Sequence, residues 1–201
     1  MSLKISLPDG SKREYPAAVS ALQVATDISP RLADAALAAE INGKMSDLST
    51  IIDSDSELII HTFKTDEGKE LYWHSTAHLM AQAVKQLWPD VQVTIGPAIE
   101  QGFYYDFDRE EAFSDEDLQK IEERMKELSA QDLPYYRKEL SRAEAIEMFR
   151  GMNEMYKIEI LSEIPEDQVI STYTQGDFID LCRGPHISSS GKIKAVKLLK
   201  S

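Results

Sequence analysis

Two turn signals, Asp9-Gly10 and Asn42-Gly43, constrain most strongly how the first third of this chain can fold. Asp-Gly and Asn-Gly favour tight turns, because these residues tolerate the positive φ angles that two-residue hairpins need. Around the first turn, the stretch KISLPDGSKREY supplies short arms of alternating residues. We therefore predict a β-hairpin at the start of the chain and a second turn near residue 42.

The rest of residues 1–63 combines helix and strand signals. A short helix is predicted around 21–28, with Ser20 as its N-cap, and LIIHT at 58–62 predicts a closing strand. A hairpin, a helix and further strands within so short a span predict a small β-grasp (ubiquitin-like) module. His61 lies inside the apolar closing strand, so we expect a structural role for it.

Residues 64–190 mix helices and strands without a strict β-α-β alternation, which predicts a larger α+β domain and an α+β class for the chain. A polar linker is predicted at 65–69, followed by a helix at 70–88 that Pro89 ends. The further predicted elements are strands at 91–95 and 102–107 around Gly96-Pro97, a helix capped by Ser114 with Asp117, a strand at 134–140, a helix opened by a Ser141–Glu144 capping box and interrupted by Gly151, and a strand at 169–174.

The net charge of −13, from 22 basic and 35 acidic residues, repels a phosphate backbone at long range. A nucleic-acid role would therefore depend on local basic spots or on a domain outside this chain. The charge is uneven, since the tail 188–201 has four lysines and no acid, and its part GKIKAVKLLKS (191–201) predicts the start of a connecting helix. No apolar stretch approaches the ~20 residues of a membrane span, and the single cysteine cannot form an internal disulfide, so we expect a cytoplasmic protein.

Two short motifs contain the only cysteine and all but one of the four histidines. His74 and His78 are spaced i, i+4 on a predicted helix, so both side chains lie on one face. Cys182 and His186 bracket Arg-Gly-Pro, a loop sequence that can fold the two side chains toward each other. Three nitrogens and one sulfur suit tetrahedral zinc, and the same groups also suit acid–base chemistry.

The helix motif differs from the H-E-x-x-H motif of metalloproteases, in which a glutamate acts as general base. Ser75, Thr76 and Ala77 separate the two histidines here, so this helix turn supplies no carboxylate. Asp180, two residues before the cysteine, is the alternative source of one. At this point the residues leave a zinc site and an acid–base site both open.

The stretches HSTAH, GPAIEQGFYYDF, EMYK and DFIDLCRGPH, in this order and spacing, resemble the N-terminal region of bacterial-type threonyl-tRNA synthetases. The resemblance covers essentially the whole chain. It implies a TGS domain at 1–63, an editing domain at 64–190, and at 191–201 the start of a connector to an aminoacylation domain absent from this chain. HxxxH with CxxxH alone is also shared with alanyl-tRNA synthetases and their free-standing editing relatives.

The resemblance also implies a set of site residues for an editing pocket, which hydrolyses the ester of serine wrongly attached to tRNA(Thr). Lys157 would lie near the reacting ester, Asp180 would be a carboxylate of the pocket, and Tyr104 or Tyr105 would be its aromatic residue. Four further side chains would line the pocket: His74, His78, Cys182 and His186.

An aminoacylation site cannot reject serine strongly. Serine lacks only one methyl group of threonine, and this difference provides only ~1–3 kcal/mol of discrimination, so a second, hydrolytic pocket is needed. We expect a water oriented by Lys157 and His74 to attack the ester, with Asp180 holding the substrate ammonium, rather than covalent attack by Cys182. The expected partner is the acceptor end of tRNA(Thr) carrying serine. This chain is expected to be a monomer, and the full-length protein a homodimer.

No metal is expected at the site, with zinc on His74, His78, Cys182 and His186 as the alternative. The resemblance implies that ATP, magnesium and zinc belong to the absent aminoacylation domain. Two other functions remain open at this point. One is a zinc-dependent free-standing deacylase of the alanyl type, and the other is a non-catalytic TGS-type binding module.

Overall fold

The structure is a computed structural model, and it describes residues 2–99 and 102–199. The chain forms two compact units. The first contains Met1–Tyr72 and Gly184–Ser188, and the second contains Trp73–Arg183 and Ser189–Ser201. The long helix α3 (Asp66–Leu87) begins in the first unit and continues in the second. None of the helices that the structure describes has the length and apolar character of a membrane span.

The first unit is built on a mixed five-stranded sheet. Its elements are β1 (Leu3–Ser6), β2 (Lys12–Tyr15), β3 (Val19–Ser20), α1 (Ala21–Ile28), α2 (Pro30–Ala35), β4 (Ala36–Ile41), β5 (Lys44–Ser46), β6 (Ile51–Ile52) and β7 (Ser56–Thr62). The strand order is β2-β1-β7-β4-β5, with β1 and β7 parallel and the other neighbours antiparallel. This sheet, with α1 between its hairpin and its remaining strands, confirms the predicted ubiquitin-like fold.

Local chemistry explains the first hairpin and the first helix. Asp9 Oδ1 accepts the Ser11 backbone N–H at 2.9 Å, and Gly10 has φ +82°, so the turn forms where the sequence predicts it. Ser20 Oγ accepts the Gln23 N–H at 3.1 Å and caps α1, as predicted. The core beneath the sheet is formed by ten buried apolar residues: Leu3, Ile5, Val19, Ala21, Val24, Ala36, Ala39, Leu48, Ile52 and Leu58.

His61 is 4% exposed on β7, where its Nε2 lies 3.2 Å from Glu40 Oε2 and its Nδ1 lies 3.2 Å from Thr65 Oγ1. Thr65 also accepts the Gly68 N–H at 3.1 Å, which caps the first turn of α3. The predicted linker at 65–69 is therefore wrong, because a capped helical turn with acids at its positive end replaces it.

The second unit combines α3 with three further helices and several short strands. Its remaining elements are β8 (Gln92–Val93), β9 (Ala98–Ile99), β10 (Gly102–Phe103), β11 (Phe107–Asp108), α4 (Asp115–Ala130), β12 (Tyr135–Leu140), α5 (Arg142–Gly151), α6 (Met155–Glu163), β13 (Ile170–Gln175), β14 (Phe178–Leu181) and a 3₁₀ turn at Ser190–Lys192. Strands β12, β13 and β14 form an antiparallel sheet in that order. The capping boxes of α4 and α5 form as predicted, and the interruption near Gly151 is confirmed.

Two strand predictions were too long. In place of strands at 91–95 and 102–107, β8 pairs with β11, and β9 pairs with β10. The Thr94 N–H donates to the Asp106 carbonyl and the Asp106 N–H donates to the Ile95 carbonyl, so two residues oppose one, as in a β-bulge. Pro97 follows and has no N–H to continue the ladder.

The predicted helix at the start of 191–201 is also wrong for the residues that the structure describes, 191–199. After the 3₁₀ turn no helix forms, because the Glu122 carboxylate of α4 takes the Leu198 N–H at 2.7 Å and the Lys197 ammonium at 2.9 Å. The Leu198 N–H thus donates to a side chain and not to a backbone carbonyl four residues earlier, as it would in an α-helix. Lys200 of the basic tail lies outside the described residues.

Candidate active site

His74 and His78 lie on one face of α3, one turn apart, as the i, i+4 spacing predicts. Their ring centroids are 4.8 Å apart and the rings meet edge to face at 69°. His78 is 5% exposed, and Ala77 and Leu79 beside it are fully buried. The helix therefore presents both imidazoles toward the interior of the second unit.

Cys182 follows β14 and brings a sulfur to the same place. Its Sγ lies 3.1 Å from His74 Nε2. The Cys182 N–H donates to the Ser171 carbonyl at 3.0 Å, and Ser171 Oγ donates back to the Cys182 carbonyl at 2.6 Å, which ties this residue to β13. The donor atoms of the two histidines and the cysteine all lie within 4.8 Å of one another.

His186 lies on the segment Gly184–Ser188, which belongs to the first unit. It is 1% exposed, and its backbone N–H donates to Asp47 Oδ1 at 2.9 Å. Its predicted place beside the other three side chains stays a prediction.

A buried ion pair lies beside the histidines. Lys157 of α6 is 2% exposed and its Nζ lies 2.5 Å from Oδ1 of Asp180, which is 1% exposed. Lys157 Nζ also donates to the Thr94 carbonyl at 2.6 Å and to the Tyr105 hydroxyl at 3.1 Å. The Tyr105 hydroxyl in turn donates to Asp180 Oδ2 at 2.7 Å. All three N–H groups of the ammonium thus have acceptors.

Asp180 links this cluster to the histidines, since its Oδ2 lies 3.4 Å from His78 Nδ1. Its Oδ1 also accepts the Leu181 N–H at 2.8 Å. The carboxylate therefore has a lysine, a tyrosine and a backbone amide as partners within its own unit. Lys157 and Tyr105 thus contact the two oxygens of Asp180, and the expected role of Asp180 as a holder of the substrate ammonium stays a prediction.

Burial keeps both imidazoles uncharged near neutral pH. It lowers the pKa of His78 well below 6.5, and electrostatic interactions with His74, in its protonated form, and with Lys157 lower the His78 pKa further. Burial also lowers the pKa of His74, although the nearby Asp180 carboxylate opposes this shift. The pKa of Tyr105 is raised well above 10.0 by burial and then by Asp180. The site thus combines a fixed ammonium with neutral imidazoles, which can accept protons.

The structure distinguishes between the two predicted tyrosines. Tyr105 is 7% exposed and belongs to the ion-pair cluster, whereas Tyr104 is 42% exposed. Gly96 fits Tyr105 tightly, since a Cβ at that position would lie 2.1 Å from the Tyr105 Cδ2 atom. The glycine of the Gly96-Pro97 break therefore allows the aromatic ring to pack against the backbone.

Sequence reasoning missed two polar groups around this cluster, the partly buried Tyr135 and the buried Glu154. Tyr135 donates its hydroxyl to the Ser75 carbonyl at 3.0 Å, between the two histidines of α3. Glu154 is 2% exposed and lies 2.7 Å from Lys85 Nζ. The spacing of Glu154 and Lys157 was a usable signal, because residues i and i+3 share one side of a helical turn.

The donor set of the second unit is compatible with zinc. Neutral imidazole nitrogen and cysteine sulfur are the ligands that structural and catalytic zinc prefers, with bonds of about 2.0–2.3 Å. His74, His78 and Cys182 could supply three of the four ligands of such a site. The same three groups can serve without metal as hydrogen-bonding walls of a pocket.

Two regions match known protein families. Residues 3–62 match the TGS domain. Residues 170–201 match the family described as the "Threonyl and Alanyl tRNA synthetase second additional domain", and this region contains Asp180, Cys182 and His186.

Curated relatives match nearly the whole chain. It is 53% identical over 197 residues to the threonine--tRNA ligase of Syntrophomonas wolfei subsp. wolfei, which is 98% of this chain and 31% of that protein. It is 56% identical over 196 residues to the threonine--tRNA ligases of Hahella chejuensis and Saccharophagus degradans, with the same coverage of 98% and 31%. The chain thus spans about a third of the length of these relatives. The resemblance predicted from the motifs is confirmed.

Proposed function

We propose that this chain is an editing hydrolase that releases serine from mischarged tRNA(Thr). The observation that carries the proposal is the buried Lys157–Asp180 pair, at 2.5 Å, next to two neutral imidazoles on α3. Buried charges are costly unless they are paired, so their presence beside uncharged bases is typical of a site built for chemistry. Similarity to threonine--tRNA ligases supplies the substrate class.

Ester hydrolysis needs a base for the attacking water and positive charge for the developing oxyanion. We assign the base to His74, which is neutral, and the positive charge to Lys157, which three acceptors hold in place. Asp180 holds the lysine, and its contact with His78 Nδ1 favours the tautomer that carries its proton on Nδ1. The pocket must also reject threonine, which a close wall does by clash with the extra methyl group.

His186 is proposed to complete the wall near Cys182. Four residues of extended chain span at most about 14 Å, so the loop between them limits how far apart the two side chains can lie. The partner of the site is the acceptor end of tRNA(Thr) carrying serine. The ATP-dependent attachment of threonine to tRNA is proposed only for a protein of the full length of these relatives, of which this chain matches about a third.

Comparing serine release from seryl-tRNA(Thr) with threonine release from threonyl-tRNA(Thr) tests the proposal. We expect serine release by the wild-type protein, little threonine release, and strong loss of activity in His74→Ala and Lys157→Ala. Equal rates on the two charged tRNAs would remove the editing function. Failure to release serine at any protein concentration would favour a non-catalytic TGS-type binding module.

The contact between His74 and Cys182 makes a covalent route the main rival mechanism, because a thiol next to an imidazole can become a nucleophile. In that route the Cys182 sulfur would displace the tRNA hydroxyl and form a seryl thioester, which water would then hydrolyse. We expect Cys182→Ser to retain serine release. A seryl thioester trapped on the wild-type cysteine would show the covalent route instead.

A zinc-dependent deacylase is the second candidate function, and the convergence of His74, His78 and Cys182 favours it. In that case zinc would activate the attacking water. Our proposal is hydrolysis without a metal. Elemental analysis of protein purified without chelator decides between the two, and stoichiometric zinc together with activity on serine-charged or glycine-charged alanine tRNA would support the zinc enzyme.

A further inference from the structure

A second ion pair, between a buried carboxylate and a partly buried lysine, lies outside the set of residues assigned to the chemistry. The Glu154 Oε1 atom is 2.7 Å from Lys85 Nζ, and the Glu154 side chain is 3% exposed. Its other oxygen, Oε2, accepts the Val93 N–H at 3.3 Å. Lys85 also donates to the Pro89 carbonyl at 2.7 Å and to the Val91 carbonyl at 2.9 Å. One carboxylate therefore joins the end of α3, the strand β8 and the start of α6.

These are the elements that hold Lys157. Val93 is followed by Thr94, whose carbonyl accepts from the Lys157 ammonium at 2.6 Å. Glu154 is three residues before Lys157 and immediately precedes α6. A shift of α6 along β8 would move the ammonium away from this carbonyl and from Asp180.

The side chain of Glu154 does not cap the helix that it precedes. A residue at a helix N-cap normally accepts hydrogen bonds from the first turn of its own helix. Glu154 occupies the N-cap of α6, with φ −93° and ψ 78°, but makes no such bond. Gln92 Oε1 instead accepts the first N–H of α6, from Met155, at 3.2 Å. The Glu154 carboxylate instead connects the start of α6 to Lys85 of α3 and to Val93 of β8.

We propose that Glu154, paired with Lys85, is a positioning residue that fixes the start of α6 so that the Lys157 ammonium stays directed at Asp180 and Tyr105. The effect on catalysis rests on the proposed function, whereas the effect on the lysine does not. A displacement of about 1 Å at a reacting group can cost on the order of a hundredfold in rate. We expect the loss in kcat, with KM nearly unchanged, because Glu154 acts through Lys157.

The chain offers a matched control. Glu122 of α4 is likewise buried, at 8% exposure, and accepts from a lysine, Lys197, and from a backbone N–H, Leu198. It is not part of the Lys157 cluster. Glu154→Gln and Glu122→Gln therefore each remove the charge of a buried carboxylate that accepts from a lysine and a backbone N–H, with the lysine 21% exposed in the first pair and 71% exposed in the second.

The experiment measures the ammonium signal of Lys157 by NMR of protein with isotope-labelled lysine, assigned by its loss in Lys157→Arg, together with kcat and KM for serine release. Glu154→Gln should shift or broaden this signal and lower kcat about tenfold or more. Glu122→Gln should change neither. Lys85→Met should act like Glu154→Gln, and Lys85→Arg should restore most of the wild-type behaviour.

An unchanged Lys157 signal and kcat in Glu154→Gln would overturn the proposal. So would an equal change in Glu122→Gln. If Glu154→Gln does not fold, the comparison of Lys85→Met with Lys85→Arg gives the same decision. If the wild-type protein releases no serine, the proposed function fails, and the NMR comparison still tests whether Glu154 positions the lysine.

Discussion

The Lys157–Asp180 pair shows most clearly how one residue depends on another in this molecule. Both side chains are almost fully buried, so removing either leaves an uncompensated charge in a poorly solvated place. The sequence around the lysine, MYKIEI, did not reveal this burial, because a lysine in a helix is usually solvated. Its partner is 23 residues away along the chain, as the numbering shows, and such pairing depends on tertiary structure.

Lys157→Met should lower the free energy of unfolding by about 3–5 kcal/mol, because Asp180 then stays buried without its cation. Urea denaturation measures the change, and the double variant Lys157→Met with Asp180→Asn should recover part of it. Lys197→Met is the control, since Lys197 is 71% exposed and its pair with Glu122 is screened by water. Equal losses in the two single variants would contradict the importance of burial.

The buried histidines predict a stability loss on the acid side of neutrality. Because the pKa of His78 is lowered in the folded state from 6.5, the unfolded chain binds a proton more readily below pH 6.5. Stability is therefore fully present above pH 6.5 and falls as the pH drops, by up to about 1.4 kcal/mol per pH unit for this group. Urea denaturation between about pH 5 and 7 should show a weaker fall in His78→Gln. Parallel curves for the two proteins would contradict it.

At the scale of elements, locally encoded features were predictable and non-local pairing was not. The capping boxes at Ser114 and Ser141 formed as predicted, because each needs only a side chain and a backbone N–H three residues apart. The predicted strands at 91–95 and 102–107 are too long. Their pairing and the β-bulge opposite Asp106 depend on which segments of the chain meet in the folded protein. The proximity of the histidines to Cys182 was predictable only from the concentration of rare residues in two motifs, and from the resemblance.

A substitution at Gly96 tests the packing of the Tyr105 ring against the backbone. Gly96→Ala should lower the melting temperature and serine release, because the added Cβ would meet Tyr105 Cδ2 at 2.1 Å, and overpacking of this kind costs about 1–3 kcal/mol. Gly151→Ala is the control with the opposite sign. At the end of α5 its Cβ would meet nothing within 4 Å, and alanine favours the helix by about 1 kcal/mol or less. A stable, fully active Gly96→Ala protein would contradict the packing argument.

At the scale of the whole molecule, the charge of −13 determines the long-range interaction of the chain with the proposed tRNA substrate. Long-range repulsion of tRNA predicts weak binding, comparable with a non-specific dissociation constant of about 1–100 µM at physiological salt. The rate of serine release should therefore rise almost linearly with seryl-tRNA concentration up to about 0.1 µM, one tenth of the smallest of these constants. Steady-state rates measured across this range check the expectation, and saturation well below it would contradict it.

The lysine at the centre of the site is anchored partly by a main-chain oxygen, the Thr94 carbonyl. A substitution at position 94 leaves that oxygen in place, whereas a substitution at Asp180 or Tyr105 removes a partner. The threonine hydroxyl is itself turned away, donating to the Asp106 carbonyl at 2.8 Å. Substitutions at position 94 can therefore change the contact with Asp106 while the backbone carbonyl that holds the Lys157 ammonium stays in place.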